Sequence, residues 1–136
     1  MAVTADQLIA VRANAVRVKG SVAASTTLYA GAACFVDSGG DRTNTTNTGA
    51  NAFGGFVVDQ LDNSSGADGD VEGEFWIDGH VTIDQNGAGL TKANLDADIY
   101  MSDNYTVTTT STNNVLVGKL VEVLANDKIT LDLGVR

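Results

Sequence analysis

The most regular alternation of apolar and polar positions in the chain is EGEFWIDGHVTI, residues 72–83. Apolar or small residues recur at Gly73, Phe75, Ile77, Gly79, Val81 and Ile83, and polar ones at Glu72, Glu74, Asp78, His80 and Thr82. A period of two is that of a half-buried β-strand. The pattern predicts Phe75, Ile77, Val81 and Ile83 on the core face. Trp76 then stands on the opposite face, covered by a subunit neighbour or by a loop, or else packed under a second sheet layer of the same chain.

Strand signal recurs in NAVRVKG, in TLYAGAACFVD with a bend or bulge at Gly31, and in AFGGFVVDQL. LTKANLDADIYM reads as one helical turn leading into a strand. YTVTTTST, VLVGKLVEVL and KITLDLG follow as a meander, with turns at Asn113–Asn114 and Asn126–Asp127. The density of β-branched residues supports these last strands. About eight short strands at regular spacing predict an all-β sandwich or small barrel with one short helical turn. Residues 37–51, DSGGDRTNTTNTGAN, read as a long polar loop, which is functional or mobile when it occurs in a compact domain. TADQLIAVR, residues 4–12, offers a short amphipathic helix with Thr4 as its N-cap. It is too short to be stable alone. Residues 1–12 are therefore read as a flexible N-terminal arm ordered by contact with something else, and 13–136 as a single β domain.

Charge changes this picture in one respect. The chain of 136 residues carries a formal charge of −9, so its bulk surface repels phosphate backbones and excludes nucleic-acid binding as a main role. No Lys or Arg occurs between Arg42 and Lys92, while the first twenty residues hold Arg12, Arg17 and Lys19 against Asp6 alone. The arm is basic and the body acidic. No apolar run approaches the roughly 18 residues of a membrane-spanning helix, and the N-terminus lacks a signal-peptide pattern. The lone Cys34 excludes an internal disulfide and, within AACFV, reads as a buried structural thiol. Asn-x-Ser/Thr triplets at Asn44, Asn63 and Asn104 read as chance matches in a Thr-rich chain.

A search for chemistry returns little. One histidine and no Gly-x-Ser-x-Gly elbow leave no hydrolase triad. Nothing local supports a Cys34/His80 pair; His80 reads as solvated or bonded to a neighbouring carboxylate. Asp68-x-Asp70-x-Glu72 imitates an EF-hand start, but the twelfth position is Gly79 instead of a bidentate Glu. A looser calcium site within Asp62–Glu74 stays open beside the plain reading of an acidic loop. Gly118-Lys119 lacks the spacing of a phosphate loop. Glu72, Glu74 and Asp78 share one strand face, as solvated carboxylates do. No catalytic residue, metal ligand or cofactor is assigned, and the reading is not an enzyme.

From Val81 to Gly134 the chain resembles the small capsid decoration (cement) proteins of tailed bacteriophages, a family long labelled only as a domain of unknown function. The matching features are Gly79-His80-Val81-Thr82-Ile83, Asp98-Ile99-Tyr100, a Thr-rich strand, Asn113 through Glu122 in the pattern N-x-x-x-V-G-x-x-x-E, and Ile129, Leu131 and Leu133. More loosely, TLYAGAACFVDSGG also matches. The resemblance implies a small β-barrel with an N-terminal arm, a homotrimer made in the host cytoplasm and placed on the outside of the virion. It further implies a clamp on neighbouring major capsid proteins. Val3, Thr4, Leu8, Ile9 and Arg12 are then the capsid-binding arm, with Trp76 and His80 at a subunit interface. The second reading is a carbohydrate- or cell-surface-binding module using Trp76, Tyr29 and the acidic loops.

Overall fold

A computed structural model describes residues 2–11 and 15–134, with the backbone alone of Val11; Arg12 of the arm lies outside the described residues. The strands are β1 (Ala10–Val11), β2 (Val16–Ser21), β3 (Thr26–Leu28), β4 (Ala33–Val36), β5 (Arg42–Thr43), β6 (Ala52–Val57), β7 (Leu61–Asn63) and β8 (Glu72–Asp78). They continue with β9 (His80–Asp84), β10 (Asp98–Met101), β11 (Val107–Thr108), β12 (Val115–Leu124) and β13 (Lys128–Asp132). The predicted helical turn is a short 3-10 helix at Lys92–Asn94, capped reciprocally by Thr91 and Asn94.

These strands form a six-stranded sheet in the order β1-β9-β13-β12-β10-β11, a five-stranded sheet β2-β8-β6-β4-β5 and a ribbon β3-β7. The fold is all-β as expected; the sheets are antiparallel and not closed into a barrel. The large core lies between the two larger sheets, around Phe35, Phe56, Val81, Ile83, Ile99, Met101, Leu120, Ile129 and Leu131. A second, smaller core lies between the other face of the five-stranded sheet and the ribbon, around Val22, Leu28, Cys34, Val57 and Phe75.

The central position of the five-stranded sheet explains why ACFV and FGGFVV are apolar almost without interruption. Ala33 and Phe35 enter the large core while Cys34 between them enters the small one, and Phe56 and Val57 divide in the same way. Strands covered on both faces need apolar residues at every position.

The stretch 72–83 corrects the prediction made from it. It is two strands in two sheets, joined at Gly79, whose φ of +90° suits a residue without a Cβ. Phase shifts by one across that corner. Phe75 faces the small core, whereas Val81 and Ile83 face the large one, so the expected single core face does not exist. Trp76 packs against the large core. Of its predicted coverings, packing within the same chain is present, and it leaves Trp76 partly buried.

Two further expectations change. The polar stretch 37–51 contains β5, which pairs with β4, and its side chains are tied to the body: Asn44 Nδ2 donates to the Thr27 carbonyl at 2.6 Å and Thr46 Oγ1 to that of Ser102 at 3.4 Å. The segment from Thr4 bends at Thr4 and Ala5 and becomes a strand at Ala10, and Thr4 caps no helix.

Candidate attachment surface

The arm is placed by four kinds of contact. Asn104, 2% exposed, receives the Val3 N–H on Oδ1 at 2.9 Å and donates from Nδ2 to the Val3 carbonyl at 3.0 Å, so its amide acts as a strand partner. Gln7 N–H donates to the Ala30 carbonyl, and the Ala30 N–H donates to Asp6 Oδ1 at 2.8 Å. At Gly31, φ +78°, any Cβ would run into the Gln7 backbone. The glycine read as a bend is thus also the place where the arm crosses. Val3 and Ile9 pack on the large core, and Ala10–Val11 pair with Thr82 and Val81 on the edge of β9.

Leu8 is the exception. With neighbours fixed on both sides it remains 93% exposed. It borders an open pit of about 230 Å³ lined by Leu8, Ile9, Ala10, Thr82 and Lys128. Thr4 is exposed as well.

Beyond the pit, the outer face of the six-stranded sheet is built in cross-strand rungs. One runs Ala10, Thr82, Thr130, Glu122; the Thr82 and Thr130 hydroxyls lie 2.8 Å apart and Thr130 donates to Glu122 Oε1 at 3.2 Å. A second runs His80, Asp132, Lys119, Asp98, with His80 Nε2 3.5 Å from Asp132 and Lys119 Nζ 3.0 Å from Asp98. The hydrogen bond that Lys119 donates to Asp98, helped by the carboxylate's charge, raises the Lys119 pKa above the ordinary lysine value. On the other side of the hydroxyl rung, Lys128 pairs with Asp84 at 3.4 Å. His80 is therefore on this outer face, half exposed, as a candidate interface residue must be.

Trp76 is elsewhere. It is partly buried against the large core, and the Arg17 guanidinium lies 5.0 Å from its ring centroid. Trp76 and His80 are not brought together. Neither are Cys34 and His80: the thiol is in the small core and the imidazole on the far side of the large one. Burial, opposed weakly by Arg42, pushes the Cys34 pKa up to about 12, which keeps it a protonated core thiol.

Carboxylates of the acidic loop accept from backbone, both inside the loop and on the segment beside it. Asp68 Oδ1 accepts from the Ala24 N–H at 2.7 Å and Asp70 Oδ2 from Ala67 at 2.9 Å. Hydrogen bonds from Ser64, and then from Thr27, hold Asp62 below the usual carboxylate range. Among the described residues no group of three or more His, Cys, Asp or Glu gathers as a metal centre requires. Two of the three glycosylation triplets begin at buried asparagines, Asn63 and Asn104, both bonded to backbone. Sequence reasoning missed Asn104, Asp6 and Gln7; their partners are remote in the chain and leave no local pattern.

Comparison of the chain with family models, with curated proteins and with solved structures finds no match.

Proposed function

We propose that this chain is a structural decoration protein of a phage head, attaching to major capsid proteins through the corner where the arm lies on the six-stranded sheet. The observation that carries the reading is Leu8, an almost fully exposed leucine on a segment whose Val3 and Ile9 are packed on the large core. Burying one such side chain contributes roughly 1.5–3 kcal/mol. Because its flanks are already held, little further ordering entropy opposes docking. Modest affinity per contact suffices when many copies, or the three arms of a trimer, act on one shell. The acidic body and the absence of any assigned catalytic group accord with a role in contact rather than in chemistry. The sequence resemblance supplies the partner and the virion location. The carbohydrate-binding reading loses its main aromatic platform, since Trp76 is packed and Tyr29 half-buried.

The test is co-sedimentation with capsids of the source phage. Wild-type protein should decorate them, and Leu8→Asp should melt at the same temperature yet fail to bind. Undiminished decoration by Leu8→Asp would move attachment to another surface. Failure of the wild type on capsids, with retention on immobilised glycans, would favour the second reading.

A further inference from the structure

The chain contains a single Asn-Gly pair, Asn86–Gly87, and the structure places it at the tip of the turn that follows β9. Both residues are exposed, with φ of +49° and +73°, and the Ala88 N–H donates to the Gln85 carbonyl at 3.0 Å. This is the two-residue turn that Asn-Gly favours. Gly87 offers no side chain to hinder its own nitrogen, and space around it is open. Among the described residues, the Asn86 side chain has one partner, the Tyr105 carbonyl at 3.5 Å from Nδ2. Asn63, by contrast, is buried and donates to three carbonyls.

One contact restrains the pair. The Gly87 N–H donates to Asp127 Oδ2 at 2.6 Å, across from the β12–β13 turn, and the Gln85 N–H donates to the Asp127 carbonyl at 2.9 Å beside it. We propose that Asn86–Gly87 is a site of spontaneous deamidation and that Asp127 sets its pace by holding the Gly87 nitrogen away from the Asn86 side chain. In the reaction, solvent base removes the Gly87 amide proton and the nitrogen forms a bond to Asn86 Cγ. The Cγ–Nδ2 bond breaks, and Nδ2 leaves as ammonia with a proton from water. Water then opens the cyclic imide at either carbonyl, leaving aspartate or isoaspartate. Ring closure requires rotation about the Asn86 backbone, and that rotation breaks the bond to Asp127. The product carboxylate lies near that of Asp127, so like charges weaken the contact between the two turns. Lys128, the next residue, lines the pit beside Leu8. The chemistry is independent of what the pit binds.

The experiment is peptide mapping of the full chain during incubation in mildly alkaline buffer. The amide-to-acid mass change should appear first at residue 86, accompanied by isoaspartate, and Asn86→Gln should abolish it. Asp127→Asn should speed it several-fold. That variant is expected to fold, because Asp127 has φ +62°, a conformation Asn tolerates well. Asp127→Glu, which keeps a carboxylate, should stay nearer the wild-type rate, and the wild-type Gly87 amide should exchange slowly with solvent. First modification at another asparagine would overturn the site. An unchanged rate in Asp127→Asn, or a fast-exchanging Gly87 amide, would overturn the role of Asp127.

Discussion

The two cores of this molecule share the strands of the five-stranded sheet but are closed in different ways. Among the described residues, sixteen buried apolar side chains from both large sheets and the segments beside them make up the large core. The small core has five, under a ribbon of two three-residue strands, and it is completed by polar groups. The Arg42 guanidinium lies 4.5 Å from the Phe75 ring centroid, Arg42 Nε donates to the Gly54 carbonyl at 3.0 Å, and a Cβ at Gly20 would strike it. Asn63 on the ribbon is tied down through its bonds to the Val22, Ala23 and Ala67 carbonyls. A two-stranded ribbon is too narrow to seal a sheet face with apolar side chains alone. Long amphipathic and amide side chains finish the task by hydrogen-bonding backbone that would otherwise be buried without a partner.

If that comparison is right, truncation should be most damaging in the large core. Phe56 is fully buried there and meets Phe53 edge-on at 5.7 Å. Phe56→Ala should destabilise the fold by about 3–5 kcal/mol in denaturant unfolding. Arg42→Ala should remove less, about 2 kcal/mol, from the lost cation–π contact and hydrogen bond. The decisive readout is local. Hydrogen exchange in Arg42→Ala should accelerate in β3 and β7 before it does in β9 and β13. Uniform acceleration would mean that the two cores unfold as one.

How much of this was legible depends on the length of each pattern. Alternation over seven and five residues made β8 and β9 plain as strands, but it concealed the crossing at Gly79. The odd-numbered positions stay apolar on both sides while the core they face changes. Conversely, β1, β5 and β11 are two residues each, too short to show any period, so the pairing within loop 37–51 and at the arm could not be read. The arm shows a different limit. Leu8 and Ile9 fit one face of a helix as well as opposite faces of an extended chain. Only the Asn104 amide and the β9 edge, both remote in sequence, decide for the latter.

The smallest effect sharpens the comparison most, because it probes the small core without changing its shape. Cys34 is fully buried, with Sγ 3.4 Å from the Gly55 carbonyl, and its pKa rises from 9.0 to about 12 because burial penalises the thiolate. In the unfolded chain the same thiol ionises near the ordinary value. The folded state therefore holds its proton where the unfolded state has lost it, and folding stability falls as pH rises. The contribution is complete below about pH 9 and is lost progressively between there and about pH 12. The slope is about 1.4 kcal/mol per pH unit at most. Unfolding in urea at pH 8 and pH 10 should show this loss in the wild type, and Cys34→Ala should show less of it on a lower baseline. Thiol-reactive dyes should label the native protein only at the rate at which the small core opens, and Arg42→Ala should raise that rate. Rapid labelling of the native wild type would show that the ribbon does not seal the thiol, and the distinction between the two cores would then be one of size alone.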